Sequence, residues 1–309
     1  MTPWRKTSNI TRQVMKRKVD GVLLLDKPPG LTSNTALQKA RRLFNAAKAG
    51  HTGTLDPFAT GLLPLCFGEA TKFSQFLLDA DKVYRAEVKL GVRTSSGDLD
   101  GDIIAQAPVR VDDARLRKAL APFLGEIQQV PPMHSALKHQ GRPLYEYARQ
   151  GVDIPRQARR VVVHALDLEA MGGDVCVLRI HCGKGFYVRA LADELGEALG
   201  CGAHLTGLRR LAVGPFSVKD AMTLAGLEAL DSSRRDACLK PADALIAALP
   251  ALSLDVEAEW QITHGQPVWQ PRLAVDELYR LYGRGGVFLG VAQVDTDGRL
   301  APKRLLATT

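Results

Sequence analysis

No apolar run in the sequence approaches the ~18 residues that a membrane span requires, and the opening residues lack the apolar core of a secretory signal. A cytoplasmic location is therefore the expectation. The five cysteines (Cys66, Cys176, Cys182, Cys201 and Cys238) are odd in number and form no C-x-x-C pair. That argues against a zinc site or a disulfide framework and for small buried hydrophobes. None of the seven histidines falls in an H-E-x-x-H or comparable spacing, so no metal is expected. No strand leads into G-x-G-x-x-G or a Walker A loop, which excludes a Rossmann-type nucleotide enzyme. Internal repeats and low-complexity tracts are missing too.

What remains is an ordinary globular composition, 46% hydrophobic and 24% charged, over 309 residues. That length accommodates one large domain and a small one. Lys and Arg number 41 against 33 Asp and Glu, a net charge of +8 that suits a polyanionic partner. The excess lies entirely before residue 250, because the charges beyond it nearly cancel. Before Asp20 stand Arg5, Lys6, Arg12, Lys16, Arg17 and Lys18 with no acid. This basic arm, residues 1–20, reads equally as a solvated terminus or an RNA-contacting tail.

Gly21–Leu25 reads as a buried strand stopped by the turn Asp26-Lys27-Pro28-Pro29-Gly30. Thr32-Ser33-Asn34 offers caps for a helix carrying Leu37, Ala40, Phe44 and Ala47 on one face. Residues 83–90 alternate with period two, with Tyr84 on the apolar face. A helix is predicted over 113–124, a strand over 175–182, and a further helix from about Val188 to Gly200. Residues 231–250 read as a linker, and the last 60 or so as a β-rich tail. Strands and helices mix without strict alternation, so the expected class is α+β with a mainly antiparallel mixed sheet flanked by helices.

The densest chemical candidate is Gly50-His51-Thr52-Gly53-Thr54-Leu55-Asp56-Pro57-Phe58-Ala59-Thr60-Gly61. It sets one carboxylate in a loop of small residues whose backbone can approach a ligand closely. Pro57 holds Asp56 extended and is suited to a first helical turn, so Asp56 also reads as a simple N-cap.

This segment, continuing through Leu62–Lys72, resembles the catalytic segment of the TruB family of pseudouridine synthases. Other pieces resemble that family in order: Gly21–Gly30, Lys82-Val83-Tyr84, Gly91–Thr94 with Asp98 and Asp100-Gly101, and Pro131–Arg149. Lys184-Gly185-Phe186-Tyr187-Val188-Arg189, His204-Leu205 and Leu208–Leu211 complete the set, with Phe186 standing where many members have Thr. The resemblance implies a pseudouridine-synthase-like fold over 21–248 and a small PUA-like C-terminal domain over 249–309. It implies cofactor-free isomerisation of uridine 55 in the tRNA T-loop, with the base flipped into a pocket. Asp56 is then the catalytic aspartate, Tyr84 the tyrosine on the target base, and Arg189 the partner of the carboxylate. Tyr187 and Leu208 would complete the pocket wall. His51 would contact RNA, Lys27 and Lys72 phosphates, and Asp98 would hydrogen-bond within the site. The expected partner is tRNA through its T-arm stem-loop, with no membrane and no required protein partner, and the chain is expected to be a monomer. Guide-RNA-dependent dyskerin-like enzymes share the motif. A non-catalytic tRNA chaperone would need the basic charge but not Asp56, Tyr84 and Arg189 together.

Overall fold

The computed structural model describes residues 15–307, so the first fourteen residues of the basic arm lie outside the described residues. Strand β1 (Gly21–Lys27) is almost wholly buried, as its unbroken apolar run requires. Helix α1 (Ser33–Leu43) starts where Thr32 caps it, its hydroxyl accepting from the Thr35 amide. Strands β2 (Ala49–His51), β3 (Thr60–Phe67) and β4 (Lys82–Leu90) follow. Helix α2 (Asp113–Leu120) precedes β5 (Gly125–Gln129), β6 (Arg159–Gly172) and β7 (Val175–Cys182). Helix α3 (Val188–Leu199) ends on Gly200 in the left-handed conformation. Strands β8 (Ala203–Val213) and β9 (Met222–Thr223) complete the large sheet.

The sheet order is β9-β1-β3-β8-β4-β7-β6-β5, with β2 added beside β3. Every neighbouring pair is antiparallel except β1–β9 and β3–β8. The expected α+β fold with a mainly antiparallel mixed sheet is therefore the one observed. The β3–β8 seam is short, pairing Arg209 with Thr60 and Arg210 with Gly61. One apolar cluster packs on each side of it. The first joins β4, β6, β7 and β8 to α2 and α3, and the second joins β1 and β3 to α1. Tyr84 and Leu208 touch both.

Gly61 is required at the seam. Its φ is +100°, and a Cβ there would sit 2.3 Å from the Arg210 carbonyl oxygen. Gly61→Ala is expected to lower stability by at least about 2 kcal/mol, measured by urea unfolding, because strain and overlap add. A change within about 0.5 kcal/mol would show that the seam yields to a methyl group.

A second, five-stranded sheet runs β10 (Ala251–Ser253), β12 (Leu278–Tyr282), β13 (Phe288–Val294), β14 (Arg299–Leu305) and β11 (Val268–Trp269). Helix α4 (Val256–Thr263), which the alternating tail pattern did not predict, closes its core. The expected linker at 231–250 is corrected. Lys240 exchanges both backbone hydrogen bonds with Val22, and Leu245 and Ile246 are buried with Val22, Phe73 and Val291. The polar Ser-Arg stretch that suggested a linker forms only the surface of this packed crossing.

Candidate active site

No helix begins at Pro57, so Asp56 is not an N-cap. It sits in the loop between β2 and β3, and three buried polar side chains hold that loop from below. Ser33, at the start of α1, accepts from the Leu55 amide at 2.8 Å and donates to the Leu55 carbonyl at 3.1 Å. Lys27 donates to the carbonyls of Leu31 (2.7 Å), Pro28 (2.9 Å) and Pro57 (3.1 Å). Arg210 donates to Leu62 (2.8 Å), Gly53 (3.3 Å) and Thr54 (3.4 Å). Buried donors so placed satisfy carbonyls that water would otherwise reach, which keeps an irregular loop rigid.

From this loop the Asp56 carboxylate faces Arg189, in the first turn of α3. The pair is bidentate, Nε to Oδ2 at 2.9 Å and Nη2 to Oδ1 at 3.2 Å. The Arg189 side chain is only 6% exposed, against 29% for Asp56. Its remaining donors meet the Ser96 carbonyl at 3.2 Å and the His134 carbonyl at 2.6 Å. Asp98, itself buried, lies 3.6 Å from Arg189 Nε. It is fixed by the Ser96 hydroxyl and by the Asp100 amide at 3.0 Å. The guanidinium is thus locked on four sides and presents a fixed fork to Asp56.

Burial pushes the Asp56 carboxyl above the ordinary range. Arg189 opposes that, while Asp98 and Asp100 add to it. Burial also raises the Tyr84 hydroxyl, with Arg210 opposing, so the phenol stays protonated near neutrality. Tyr187 is raised chiefly by burial as well. His51 is held below its usual value by burial and then by Arg210. An imidazole so placed is neutral near pH 7, and its Nδ1 is buried without a hydrogen-bond partner. His134 is lowered likewise, by burial and then by Arg189.

The structure brings Asp56, Arg189 and Asp98 into one ion-paired cluster. Tyr84 and Leu208 lie on adjacent strands at the seam between the two apolar clusters. Tyr187 caps α3, and its backbone exchanges two hydrogen bonds with the Gln129 side chain, 2.7 and 3.1 Å. His51 ends β2, opposite Leu65.

One expectation is corrected. Lys27 is fully buried with its three donors on carbonyls, so it braces the Asp56 loop from within and meets no phosphate. Lys72 pairs with Glu69 at 2.6 Å and with the Leu305 carbonyl at 2.8 Å, tying the large sheet to β14. A lysine in a Pro-Pro-Gly turn ordinarily projects into water, and the sequence holds nothing that announces these carbonyls.

Burial lowers Lys27 from 10.5 to about 8, against the attraction of Asp56. Above pH 8 the folded protein has released a proton that the unfolded chain still holds. Lys27 therefore adds stability as pH rises from about 8 towards 10.5, and that gain is lost as pH falls back through 8. Lys27→Met is expected to remove this rise, read as the slope of unfolding free energy against pH. An unchanged slope would contradict it.

Arg210, with 1% exposure, is the brace of the Asp56 loop that motif reading left without a role. The signal was present, since period two puts residue 210 on the same face as Leu208, which is a core face. Ser96 and His134 act through backbone carbonyls and leave no trace in residue type.

Family profiles match nearly the whole described chain. Residues 41–188 match the N-terminal domain of the TruB family of pseudouridylate synthases. Residues 189–247 match the C-terminal domain of tRNA pseudouridylate synthase B, and residues 250–306 the C-terminal region of pseudouridine synthase II TruB. The tRNA pseudouridine synthase B of Aromatoleum aromaticum is 57% identical over 293 residues, 95% of this chain and 94% of that one. The protein of the same name from Thiobacillus denitrificans is 57% identical over 295 residues, 95% of this chain and 98% of that one. A chain from the structure of an H/ACA RNP bound to a substrate RNA containing 2′-deoxyuridine matches with a TM-score of 0.70. It is 23% identical, covers 93% of this chain and 85% of its own, and speaks to the fold alone. With this fold, these profiles over almost all its length and relatives above half identity, the chain belongs to the TruB family of pseudouridine synthases and is an isomerase.

Proposed function

We propose that the isomerase acts on tRNA, converts uridine 55 of the T-loop to pseudouridine, and does so with Asp56 and no cofactor. The observation that carries this reading is the partly exposed Asp56 carboxylate, held by a bidentate pair with the buried Arg189. The names of relatives at 57% identity support tRNA as the substrate, and the +8 charge suits it.

The uridine leaves its stack at a cost of a few kcal/mol and enters beside Tyr84. Tyr84 and Leu208 give the base an apolar wall, and the protonated phenol offers it a hydrogen bond. Ionised Asp56 either bonds to C1′ or takes the C2′ proton as the N1–C1′ bond breaks. The freed base turns and C5 bonds to C1′, either as the Asp56–C1′ bond breaks or as Asp56 returns its proton to C2′; the C5 proton then passes to water and N1 takes up a proton. Arg189 keeps the carboxylate charged and aimed throughout. His51 offers the RNA a neutral imidazole, and Tyr187 lines the entrance. The chain works as a monomer without a protein partner, in the cytoplasm where tRNA matures. Residues 21–248 carry the chemistry, 249–309 form the accessory unit, and the basic arm 1–20 meets RNA.

A T-arm hairpin transcript tests the position. It is expected to be converted at uridine 55 about as completely as whole tRNA, and a cytidine-55 transcript to give no pseudouridine. Conversion elsewhere in the cytidine-55 transcript would overturn the assignment of position.

A further inference from the structure

On the face of the large sheet opposite the apolar cluster of α2 and α3, the residue just before β4 and strands β6 and β7 bring Asp81, His164 and His181 together, their ligand atoms all within 4.8 Å of one another. We infer that these three side chains form a binding site for one divalent transition-metal ion of the zinc class, which clamps the start of β4 to β6 and β7.

The argument begins with alternation. On β4, Tyr84, Ala86, Val88 and Leu90 pack into the apolar cluster, so odd-numbered positions, Asp81 included, face the other way. On β7, Cys176, Leu178, Ile180 and Cys182 are buried, which puts His181 on the same outer face. Strand β6 would carry His164 past this position, but a bulge intervenes. Val163 pairs with Cys182 and Ala165 with His181, leaving His164 as the extra residue. The bulge turns it out beside His181, the re-aiming that bulges provide. The two rings lie 4.8 Å apart, centroid to centroid.

The distances suit an ion better than a hydrogen bond. Asp81 Oδ2 is 3.3 Å from His164 Nε2 and 3.6 Å from His181 Nε2. Both exceed a good N–H···O contact. Tetrahedral ligands at ~2.0–2.2 Å from zinc are about 3.3–3.6 Å apart, the spacing of the two carboxylate–imidazole pairs, and all three ligand atoms lie within 4.8 Å of one another. Two imidazoles with one carboxylate are borderline donors that suit zinc, cobalt or nickel over the hard cations magnesium and calcium. The fourth position faces water. No lysine or arginine occupies Asp81 among the described residues. Lys184 pairs with Asp79 at 3.1 Å, and the Lys82 ammonium meets the carbonyls of Ala80 and Leu78. The Asp81 backbone is itself fixed, its carbonyl accepting from the Gly214 amide at 2.8 Å.

Asp81 precedes Tyr84 by three residues on one chain segment, so the clamp would stiffen the strand that presents the pocket tyrosine without touching the pocket. The sequence shows no metal-ligand spacing because these ligands come from three separate chain segments.

The test uses the full, untagged chain stripped with chelator. Titration with Zn2+ is expected to show one ion per chain and to raise Tm by about 5 °C at a hundredfold excess over Kd. Mg2+ at the same concentration should leave Tm unchanged. Co2+ should give the visible absorption of a tetrahedral site. Asp81→Asn, His164→Ala and His181→Ala should each weaken Zn2+ binding at least about tenfold and cancel the Tm rise. Pseudouridine formation by the metal-free variants checks that they are folded, and Asp81→Asn serves as the near-isosteric variant should a histidine variant fail to fold. Zinc binding by the variants with unchanged affinity and stoichiometry, or no binding by the wild-type chain below ~100 μM, would overturn the site.

Discussion

Asp56→Asn is expected to bind tRNA with wild-type affinity and to turn it over at least about 10⁴-fold more slowly. The amide has the size of the carboxylate but neither bonds to C1′ nor accepts a proton from C2′. The fold should survive. Asp98 still lies 3.6 Å from the Arg189 guanidinium, and the carbonyls of Ser96 and His134 keep their donors. Burial already disfavours the Asp56 charge, so removing it relieves a cost that partly offsets the lost pair. Urea unfolding should therefore shift little while single-turnover formation of pseudouridine collapses. For the wild type the sign with pH follows from the same burial. Activity needs the ionised form, whose pKa lies above the ordinary carboxylate value, so the rate falls with acid through that raised value. An acid limb below the ordinary aspartate range would contradict the environment described for Asp56.

Arg189→Met should cost both stability and rate. It leaves Asp98, almost fully buried, and Asp56, largely so, without their cation, and it empties the donors to two carbonyls. Breaking a buried pair from one side costs about 3–5 kcal/mol, which urea unfolding measures. The rate should fall at least about 10²-fold because the carboxylate loses its aim. Arg189→Lys separates the two effects. A lysine restores charge but not the planar fork that meets Nε–Oδ2 and Nη2–Oδ1 together, so it should recover part of the stability and little of the rate. Full recovery of rate by lysine would show that charge alone, not the fork, is what Arg189 supplies.

Both effects trace to features of unequal visibility in the sequence. The strands at 21–25, 83–90 and 175–182 were legible because one face or both are apolar, though the first runs on through Asp26 and Lys27, which read as a turn. Helix Ser33–Leu43 was legible because Thr32 caps it and its apolar stripe has helical spacing. The loop carrying Asp56 was legible as a motif but not as a conformation. Pro57 suits a helix start, yet Lys27, Ser33 and Arg210 hold the backbone in an irregular path instead. Such tertiary hydrogen bonds join residues 22 to 157 positions apart, which no local pattern encodes. The same distance effect hid the place of Lys27, since exposed and buried lysines look alike in a sequence. It hid the Asp81, His164 and His181 cluster too, which depends on one bulge in β6. The seam chemistry, by contrast, was half visible: Leu208 and Arg210 alternate on one face, and Gly61 sits where no side chain fits.

The central claim is that Asp56 alone supplies the reactive group. Release of tritium from a T-arm transcript labelled at uridine C5, in chelator and without added metal, tests it most directly. Wild-type protein should release the label fully, and Asp56→Asn, with the transcript still bound, should release none above background. Equal release by the two proteins would contradict the account.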